Sequence, residues 1–174
     1  MPELPELLLF ERNISSWCKG KTFSPKNAYS AEAEGSSPVR DAVRSDPFLV
    51  YTVLASVRGK EFRLDLRANH GDKVLHILFT HGLVGQWKTY EGEFDESLFT
   101  KWRFRMGADQ GGGIVFVDQM RMGRFKIGDF SGKRGPCPVA EPVQFKANIL
   151  ENLGRTLFSK QIYQIMLDQT FFNG

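Results

Sequence analysis

The chain has 174 residues, 41% of them hydrophobic and 25% charged, and its formal net charge is +3. That length suffices for one hydrophobic core or two small packed units, and no stretch approaches the roughly 18 apolar residues of a transmembrane helix, so we expect no membrane association. Two cysteines are too few for a disulfide scaffold or a four-ligand structural zinc site, and the acidic start MPELPELLLF lacks the basic region of a secretory signal.

The first predicted element is an amphipathic helix that begins at Pro5 and ends at about Cys18. Leu7, Phe10 and Ile14 recur at steps of three and four residues, which places them on one helical face. That apolar face predicts that the helix packs against the rest of the domain.

Residues 21–47 contain serine, proline and charge without a period, which predicts a loop with room for one short strand. From Phe48 onward the period changes to two, as is typical of strands. A helix followed by six or more short strands favours a β-sandwich or a partly open barrel. We predict these strands at Phe48–Val57, 62–66, Lys73–Phe79, Gly85–Tyr90, Lys101–Met106 and Ile114–Asp118.

The strand predicted at 101–106 alternates apolar and basic side chains. Trp102, Phe104 and Met106 alternate with Arg103 and Arg105. We therefore expect the three apolar side chains to be buried and the two arginines to face solvent.

Helical periodicity returns after a linker at Ser131–Pro142 that is rich in glycine and proline. The segment Gln144–Leu153 predicts a helix capped by Gly154, and Ser159 predicts the N-cap of a second helix. Two helices in about 35 residues seldom bury enough surface to fold alone, so we expect this half to be incomplete.

Charge is distributed unevenly along the chain. Between Lys101 and Arg134 there are eight basic residues and three acidic ones. Such an excess can be the footprint of a polyanion such as nucleic acid, but a solvated charged face is the commoner explanation, and both remain open.

The first residues carry a possible nucleophile. If Met1 is removed, Pro2 becomes a secondary amine, and because α-amino groups titrate near pH ~8, a useful fraction is unprotonated at neutral pH. Such an amine can attack an aldehyde-like carbon, and Glu3 and Glu6 lie close enough in sequence to move protons. The alternative is that these residues only start the helix, with Pro5 in its first turn and the acids at its positive end.

The N-terminal motif MPELPE resembles the formamidopyrimidine-DNA glycosylase and endonuclease VIII family. The resemblance continues in order along the whole chain in five later pieces. Those pieces are VRGKEFRLDL (57–66), THGLVGQW (80–87), VFVDQMRMGRF (115–125), RGPCPV (134–139) and MLDQTFFNG (166–174). RGPCPV and MLDQTFFNG are most similar to the animal Nei-like branch, whereas MPELPE itself is closer to the formamidopyrimidine branch.

The resemblance implies an α+β fold in which an N-terminal helix and a two-layer antiparallel β-sandwich precede the start of a helix–two-turn–helix domain. It implies a catalytic domain at 1–133, with the linker and the incomplete DNA-binding domain at 134–174. The family motif continues beyond FFNG into a phosphate-binding turn, so we expect a fragment of a longer enzyme. A naturally short paralogue is the alternative.

The same resemblance assigns roles to four residues. Pro2 resembles the nucleophile that attacks C1′ of a damaged nucleoside, and Glu3 resembles the general acid/base that assists sugar-ring opening. Glu6 falls at a supporting acid, and Lys60 resembles the lysine that bridges the active site and a DNA phosphate. Without the resemblance, Lys60 would be interpreted as an exposed turn cation.

Four further residues correspond to positions that contact DNA. The family usually fills the gap left by the extruded base with Met, Arg and Phe, and this chain has Leu83, Met120 and Met122 there. Arg121 matches the second arginine of the motif and is expected to contact the backbone. Since Met120 lacks a guanidinium for the orphaned base, we expect weaker discrimination of the opposite base. Simple packing at strand ends is the alternative for both methionines.

The implied function is base-excision repair, in which oxidised pyrimidines and ring-opened purines are removed and the abasic site is cleaved by β,δ-elimination. No cofactor or metal is implied, and the expected partner is damaged double-stranded or partly single-stranded DNA, bound by a monomer. The expected location is the nucleus in a eukaryote, or the cytoplasm and nucleoid in a bacterium. The alternative is a non-catalytic DNA-binding paralogue or an inactive fragment.

Overall fold

The computed structural model describes residues 2–31, 37–45, 49–156 and 164. Within these ranges, two α-helices, a short 3-10 helix and one short strand come first, and seven further strands then precede the last helix. The elements are α1 (Leu4–Cys18), a short 3-10 helix (Pro25–Asn27), β1 (Ala28–Ser30), α2 (Pro38–Arg44), β2 (Tyr51–Arg58), β3 (Glu61–Ala68), β4 (Val74–Thr80), β5 (Gln86–Tyr90), β6 (Trp102–Gly107), β7 (Gly113–Val117), β8 (Arg124–Ile127) and α3 (Pro142–Thr156).

The strands form two four-stranded antiparallel sheets, in the orders β1-β6-β7-β5 and β2-β3-β4-β8. Inward side chains of both sheets alternate with outward ones and meet in a shared core, as expected of a sandwich. The predicted fold class, an N-terminal helix with a two-layer sandwich followed by helix, is confirmed.

The core between the sheets is a cluster of aromatic rings. Phe79 of β4 lies at its centre, with ring-centroid distances of 4.8 Å to Trp87, 5.6 Å to Phe104 and 5.5 Å to Phe116. Most of these pairs meet edge to face, an arrangement that aromatic rings favour. The high phenylalanine content of the chain is thus used to fill the sandwich.

Helix α1 packs on the sandwich as its apolar periodicity predicts. Leu7 and Ile14 are 0% and 1% exposed. Ser15 ties the helix to β2, since its Oγ accepts from the Ala55 N–H at 3.1 Å and lies 3.4 Å from the Ala55 carbonyl oxygen. Helix α1 is therefore anchored to β2 of the sandwich near its C-terminal end.

Helix α2 lies in the segment that was predicted to be loop. Its start is stabilised by Ser37, whose Oγ accepts from the Arg40 N–H at 3.4 Å, and Pro38 occupies the first turn. Val39 and Val43 are buried one turn apart. The N-cap signal was present in the sequence, but a single apolar pair is too short a pattern to define a helix.

The prediction for the strand at 101–106 is wrong on its outer face. A β-bulge between Trp102 and Phe104 shifts the register, so Trp102 joins an outer aromatic cluster while Phe104 and Met106 enter the core. Arg103 is only 13% exposed, and the Arg105 guanidinium lies 4.4 Å from the Phe94 ring centroid. Both arginines are covered, which sequence alternation alone does not reveal.

The C-terminal half differs from the prediction in its helix boundary. Helix α3 runs from Pro142 to Thr156, so Gly154 lies within it rather than capping it. Ser159 and the helix predicted after it lie outside the described residues. Neither α3 nor any other described helix is both long and apolar enough to cross a bilayer.

Candidate active site

The N-terminus of α1 carries a reciprocal arrangement of two acids. Glu3 is the N-cap residue, and its carbonyl oxygen accepts from the N–H groups of Glu6 and Leu7, both at 3.1 Å. In return, the Glu3 N–H donates to Glu6 Oε2 at 2.8 Å. The Glu6 carboxylate thereby holds the backbone next to Pro2, and the Glu3 carboxylate, 53% exposed, is left to face other partners.

Lys60 reaches this helix start from the turn between β2 and β3. Gly59 adopts a φ of +58° and so forms the tight turn that presents Lys60. Lys60 Nζ lies 3.1 Å from Glu3 Oε2 and 3.3 Å from Glu3 Oε1. The structure thus brings together two of the predicted site residues that are 57 positions apart in sequence.

A cleft of about 330 Å³ opens beside these residues. Pro2, Glu6 and Phe10 line one side of it, and residues 83–86 of the β4–β5 turn line the other. That volume lies at the small end of the range for ligand sites, about 300–1,000 Å³. The cleft is therefore large enough for one planar heterocycle next to the Pro2 nitrogen.

The β4–β5 and β7–β8 turns pack closely against each other beside the cleft, because a glycine without a side chain lies where they meet. A Cβ built on Gly82, which has a φ of +60°, would lie 2.7 Å from Gly123 N. The two turns present Leu83, Met120 and Met122, which are 46%, 54% and 51% exposed. The structure therefore places all three predicted gap-filling side chains on adjoining turns at the surface.

The β7–β8 turn is closed by a buried acid that sequence reasoning did not single out. Asp118 is fully buried, and its Oδ2 accepts from the Gly123 N–H at 2.6 Å. Arg121 is exposed and adopts a φ of +53°, with its N–H donating to the Asp118 carbonyl at 3.1 Å. A polar residue at the end of a strand, followed five residues later by glycine, was the available signal.

His81 is the second residue that sequence reasoning undervalued. Its ring is stacked on Phe10 at 5.9 Å and meets the edges of Phe62 and Phe116 at 5.6 Å and 5.3 Å. Among the described residues neither ring nitrogen has a hydrogen-bond partner. Burial lowers the pKa of His81 to about 4, so the imidazole is neutral at physiological pH. Since Phe10 lines the cleft, His81 supports its wall from behind.

The turn that carries Lys60 is anchored on both sides to the linker. Arg58 donates from Nε to Glu141 Oε2 at 2.7 Å and from its NH1 nitrogen to the Ser131 carbonyl at 3.1 Å. Glu61 accepts from the Ser131 N–H at 2.9 Å. The bond from the Cys137 N–H, together with the Arg58 guanidinium, holds the pKa of Glu141 below its usual range. The linker therefore begins at the site rather than away from it.

Within the described residues no group of three His, Cys, Asp or Glu side chains could hold a metal ion. His76 contacts a single carboxylate, that of Asp65, at 2.7 Å, and Asp65 also pairs with Arg63. The candidate site instead offers a carboxylate and an ammonium in contact, next to the position of a potential amine nucleophile. Such a set can form and protonate a carbon–nitrogen adduct with a carbonyl-like carbon.

Comparison with known proteins finds a single family along this chain. The family model for the formamidopyrimidine-DNA glycosylase N-terminal domain matches residues 1–125. Endonuclease 8-like 1 from Homo sapiens is 32% identical over 182 residues, and its Mus musculus counterpart is 32% identical over 180. Both alignments cover 100% of this chain but 44% of the relative, so the chain spans less than half the length of these relatives.

Two bacterial proteins extend the comparison. A formamidopyrimidine-DNA glycosylase from Salinispora arenicola is 28% identical over 181 residues, covering 60% of that relative. The crystal structure of Lactococcus lactis Fpg (MutM), in complex with DNA that contains N7-benzyl-Fapy-dG, superimposes with a TM-score of 0.70. That match covers 99% of this chain and 62% of the other at 17% identity, and it shows a common fold.

Proposed function

The chain belongs to the formamidopyrimidine-DNA glycosylase family, and from that membership we propose that it is a DNA-repair glycosylase that also cleaves abasic sites. Its proposed substrates are oxidised pyrimidines and ring-opened purines in DNA. The observation that carries the proposal is the contact between Lys60 Nζ and Glu3 Oε2, 3.1 Å apart, at the edge of a cleft that Pro2 lines.

The reaction begins with the amine of Pro2, which becomes available when Met1 is removed. The nitrogen lone pair attacks C1′ of the damaged nucleoside, the glycosidic bond breaks, and the base leaves with a proton. Glu3 donates a proton to the sugar ring oxygen, so the ring opens and an iminium forms between Pro2 and C1′. Glu3 suits this role because it sits beside Pro2 with its carboxylate exposed.

Strand cleavage follows from the iminium. The positive charge acidifies the C2′ proton, and its loss expels the 3′ phosphate. A second elimination expels the 5′ phosphate, and water hydrolyses the remaining imine to release Pro2. Lys60 can contact both the Glu3 carboxylate and a phosphate, so it stabilises the charge that passes between them.

Access to C1′ requires the damaged base to leave the helix, which costs a few kcal/mol. Leu83, Met120 and Met122 are exposed on adjoining turns and fill the gap as apolar wedges. Methionine adapts well to irregular gaps because its side chain is flexible. Arg121, exposed on the same turn, contacts the phosphate backbone.

We also propose that residues 1–133 form the catalytic domain and that 134–174 begin the DNA-binding one. The last strand of the sandwich ends at Ile127, and α3 begins at Pro142. The bonds of Arg58 and Glu61 to the linker support a domain boundary there.

A product assay tests the proposal. On a duplex with one oxidised pyrimidine, we expect a gap with phosphates at both ends, the pattern of β,δ-elimination. Glu3→Gln keeps the size of the side chain but cannot shuttle a proton, so single-turnover base release falls by roughly 10²-fold or more. Glu96→Gln removes an equally exposed carboxylate outside the site and serves as the control.

Two outcomes would contradict the proposal. Binding of the damaged duplex with no base release in the wild-type chain favours a DNA-binding module without turnover. Equal rates for wild type and Glu3→Gln would remove Glu3 from the chemistry.

A further inference from the structure

A second concave site lies on the outer face of the sheet formed by β2, β3, β4 and β8. This groove, of about 420 Å³, is bounded by β4, β8 and the linker, and we name it the β8 groove. Arg124 and Lys126 of β8 line one side, and Arg134 and Ser131 of the linker line the other, with Glu61 between them. None of these residues has a part in the chemistry proposed above.

Two of the three cations of the β8 groove have no acidic partner among the described residues. Arg124 and Lys126 are exposed, and neither forms an ion pair with the part of the chain that the structure describes. Glu61 is the one carboxylate lining the groove, and it is 3% exposed. It already accepts from the Ser131 N–H at 2.9 Å and lies 3.5 Å from Arg134 Nε.

Arg134 adds a donor without an acceptor. Its NH1 nitrogen is enclosed, and within the described residues it has no hydrogen-bond partner. The Arg134 side chain as a whole is 25% exposed and lines the groove, so its accessible guanidinium donors can meet an acceptor from outside the protein. A phosphate oxygen fits best, because guanidinium groups bind phosphate through paired, charge-assisted hydrogen bonds.

The groove also lies at the same end of the sheet as the candidate active site. Glu61 directly follows Lys60, and Arg124 follows the turn that presents Met120 and Met122. Arg124 stands opposite Thr80 in the β4–β8 pair, and the Thr80 Oγ1 lies 3.4 Å from the Arg124 carbonyl oxygen. A duplex engaged by the two wedge turns therefore passes close to the groove.

We propose that the β8 groove binds a backbone phosphate of the DNA duplex whose damaged nucleotide occupies the cleft, through Arg124, Lys126 and Arg134. The inference rests on the proposed function for the identity of the ligand. It adds a positioning contact that fixes the register of the duplex and carries no sequence information.

Salt dependence of binding tests the β8 groove directly. The probe is a fluorescent duplex with one tetrahydrofuran abasic analogue. The Kd of the protein for this duplex is measured by fluorescence anisotropy at salt concentrations from about 50 to about 200 mM. Each lost phosphate contact lowers the slope of log K against log salt by about 0.9, so Arg124→Ala with Lys126→Ala should lower it by about 1. The matched control, Lys19→Ala with Lys88→Ala, removes two exposed charges elsewhere and should leave the slope unchanged.

Arg134→Lys provides an independent variant, because it keeps a cation next to Glu61 but removes the enclosed NH1 donor. We expect it to weaken binding several-fold while its melting temperature stays near that of the wild type. An unchanged salt slope in the double variant together with an unchanged Kd in Arg134→Lys would overturn the proposal.

Two further readouts separate the causes of failure. If inorganic phosphate stabilises the wild type but not the double variant, and the DNA slope is unchanged, the groove binds a free anion and the DNA contact is refuted. If the salt slope changes as expected while no base release is detected, the phosphate contact in the β8 groove is supported and the proposed glycosylase chemistry is contradicted.

Discussion

Lys60 and Glu3 illustrate how far single residues could be predicted. Both residues were assigned from the resemblance of short motifs. Their side chains lie 3.1 Å apart, which supports the proposal that they act together. His81 and Asp118 could not be predicted in the same way. His81 is buried among aromatic rings, and Asp118 is buried beneath the β7–β8 turn. Distant parts of the chain determine this burial. No local pattern encodes the burial of His81, whereas the glycine five residues after Asp118 was a signal that sequence reasoning did not use.

His81 predicts a specific loss of stability in acid. Its pKa in the folded state is about 4, below the ordinary 6.5, because burial disfavours the charged ring. The unfolded chain therefore binds the extra proton between these values, and stability that is full above pH 6.5 is lost as the pH falls towards 4. The loss is on the order of 3 kcal/mol.

Urea unfolding at several pH values measures this effect. His81→Phe retains a ring of similar size among Phe10, Phe62 and Phe116, so it should lack this part of the pH dependence. His70→Phe changes an exposed histidine and is the control. Parallel pH profiles for the wild type and His81→Phe would show that His81 does not titrate in this way.

Met120 predicts relaxed recognition of the base opposite the lesion. Its side chain is 54% exposed at the tip of the β7–β8 turn and has no hydrogen-bonding group for an orphaned base. Met120→Arg supplies a bidentate donor worth about 1–3 kcal/mol of discrimination, so cleavage rates opposite the four bases should diverge by at least about fivefold. Gln119→Arg adds the same charge one residue away. Identical profiles for wild type and Met120→Arg would refute this role.

At the scale of elements, the two wedge turns depend on each other. Strands β4 to β7 were predicted from short strand-like runs of residues, and their observed bounds lie within one residue of the predicted ones. The β-bulge in β6, the short strand β8 and helix α2 were not predicted. Each is stabilised by contacts with another element more than by its own pattern. The close approach of the two turns at Gly82 likewise depends on a contact between elements and not on a local sequence pattern.

We predict that the substitution Gly82→Ala lowers both the stability of the fold and its affinity for DNA. A Cβ there would lie 2.7 Å from two backbone atoms of the β7–β8 turn, so that turn must move. Gly92→Ala is a close control, since its φ of +67° carries a similar conformational penalty while its Cβ would meet nothing within 4 Å. We expect Gly82→Ala to cost more in thermal unfolding than Gly92→Ala by about 1–3 kcal/mol. Equal costs would mean that the two turns are not tightly packed.

At the scale of the whole molecule, the linker that precedes α3 is bound to the sandwich beside the Lys60 turn. Arg58 and Glu61 flank the Lys60 turn and bind the linker, so any change in the linker is transmitted to the candidate site. The sandwich could be predicted from sequence because its strands alternate regularly. The location of the linker on the sheet could not, because two ion pairs with distant partners determine it.

The proposed chemistry depends above all on whether the Pro2 nitrogen is the nucleophile. Borohydride reduction of the chain mixed with an abasic-site duplex, followed by peptide mass spectrometry, tests this most directly. We predict one covalent adduct on the nitrogen of Pro2, and none on a chain that retains Met1. An adduct on Lys60 instead, or an equal yield with Met1 retained, would contradict the proposed chemistry.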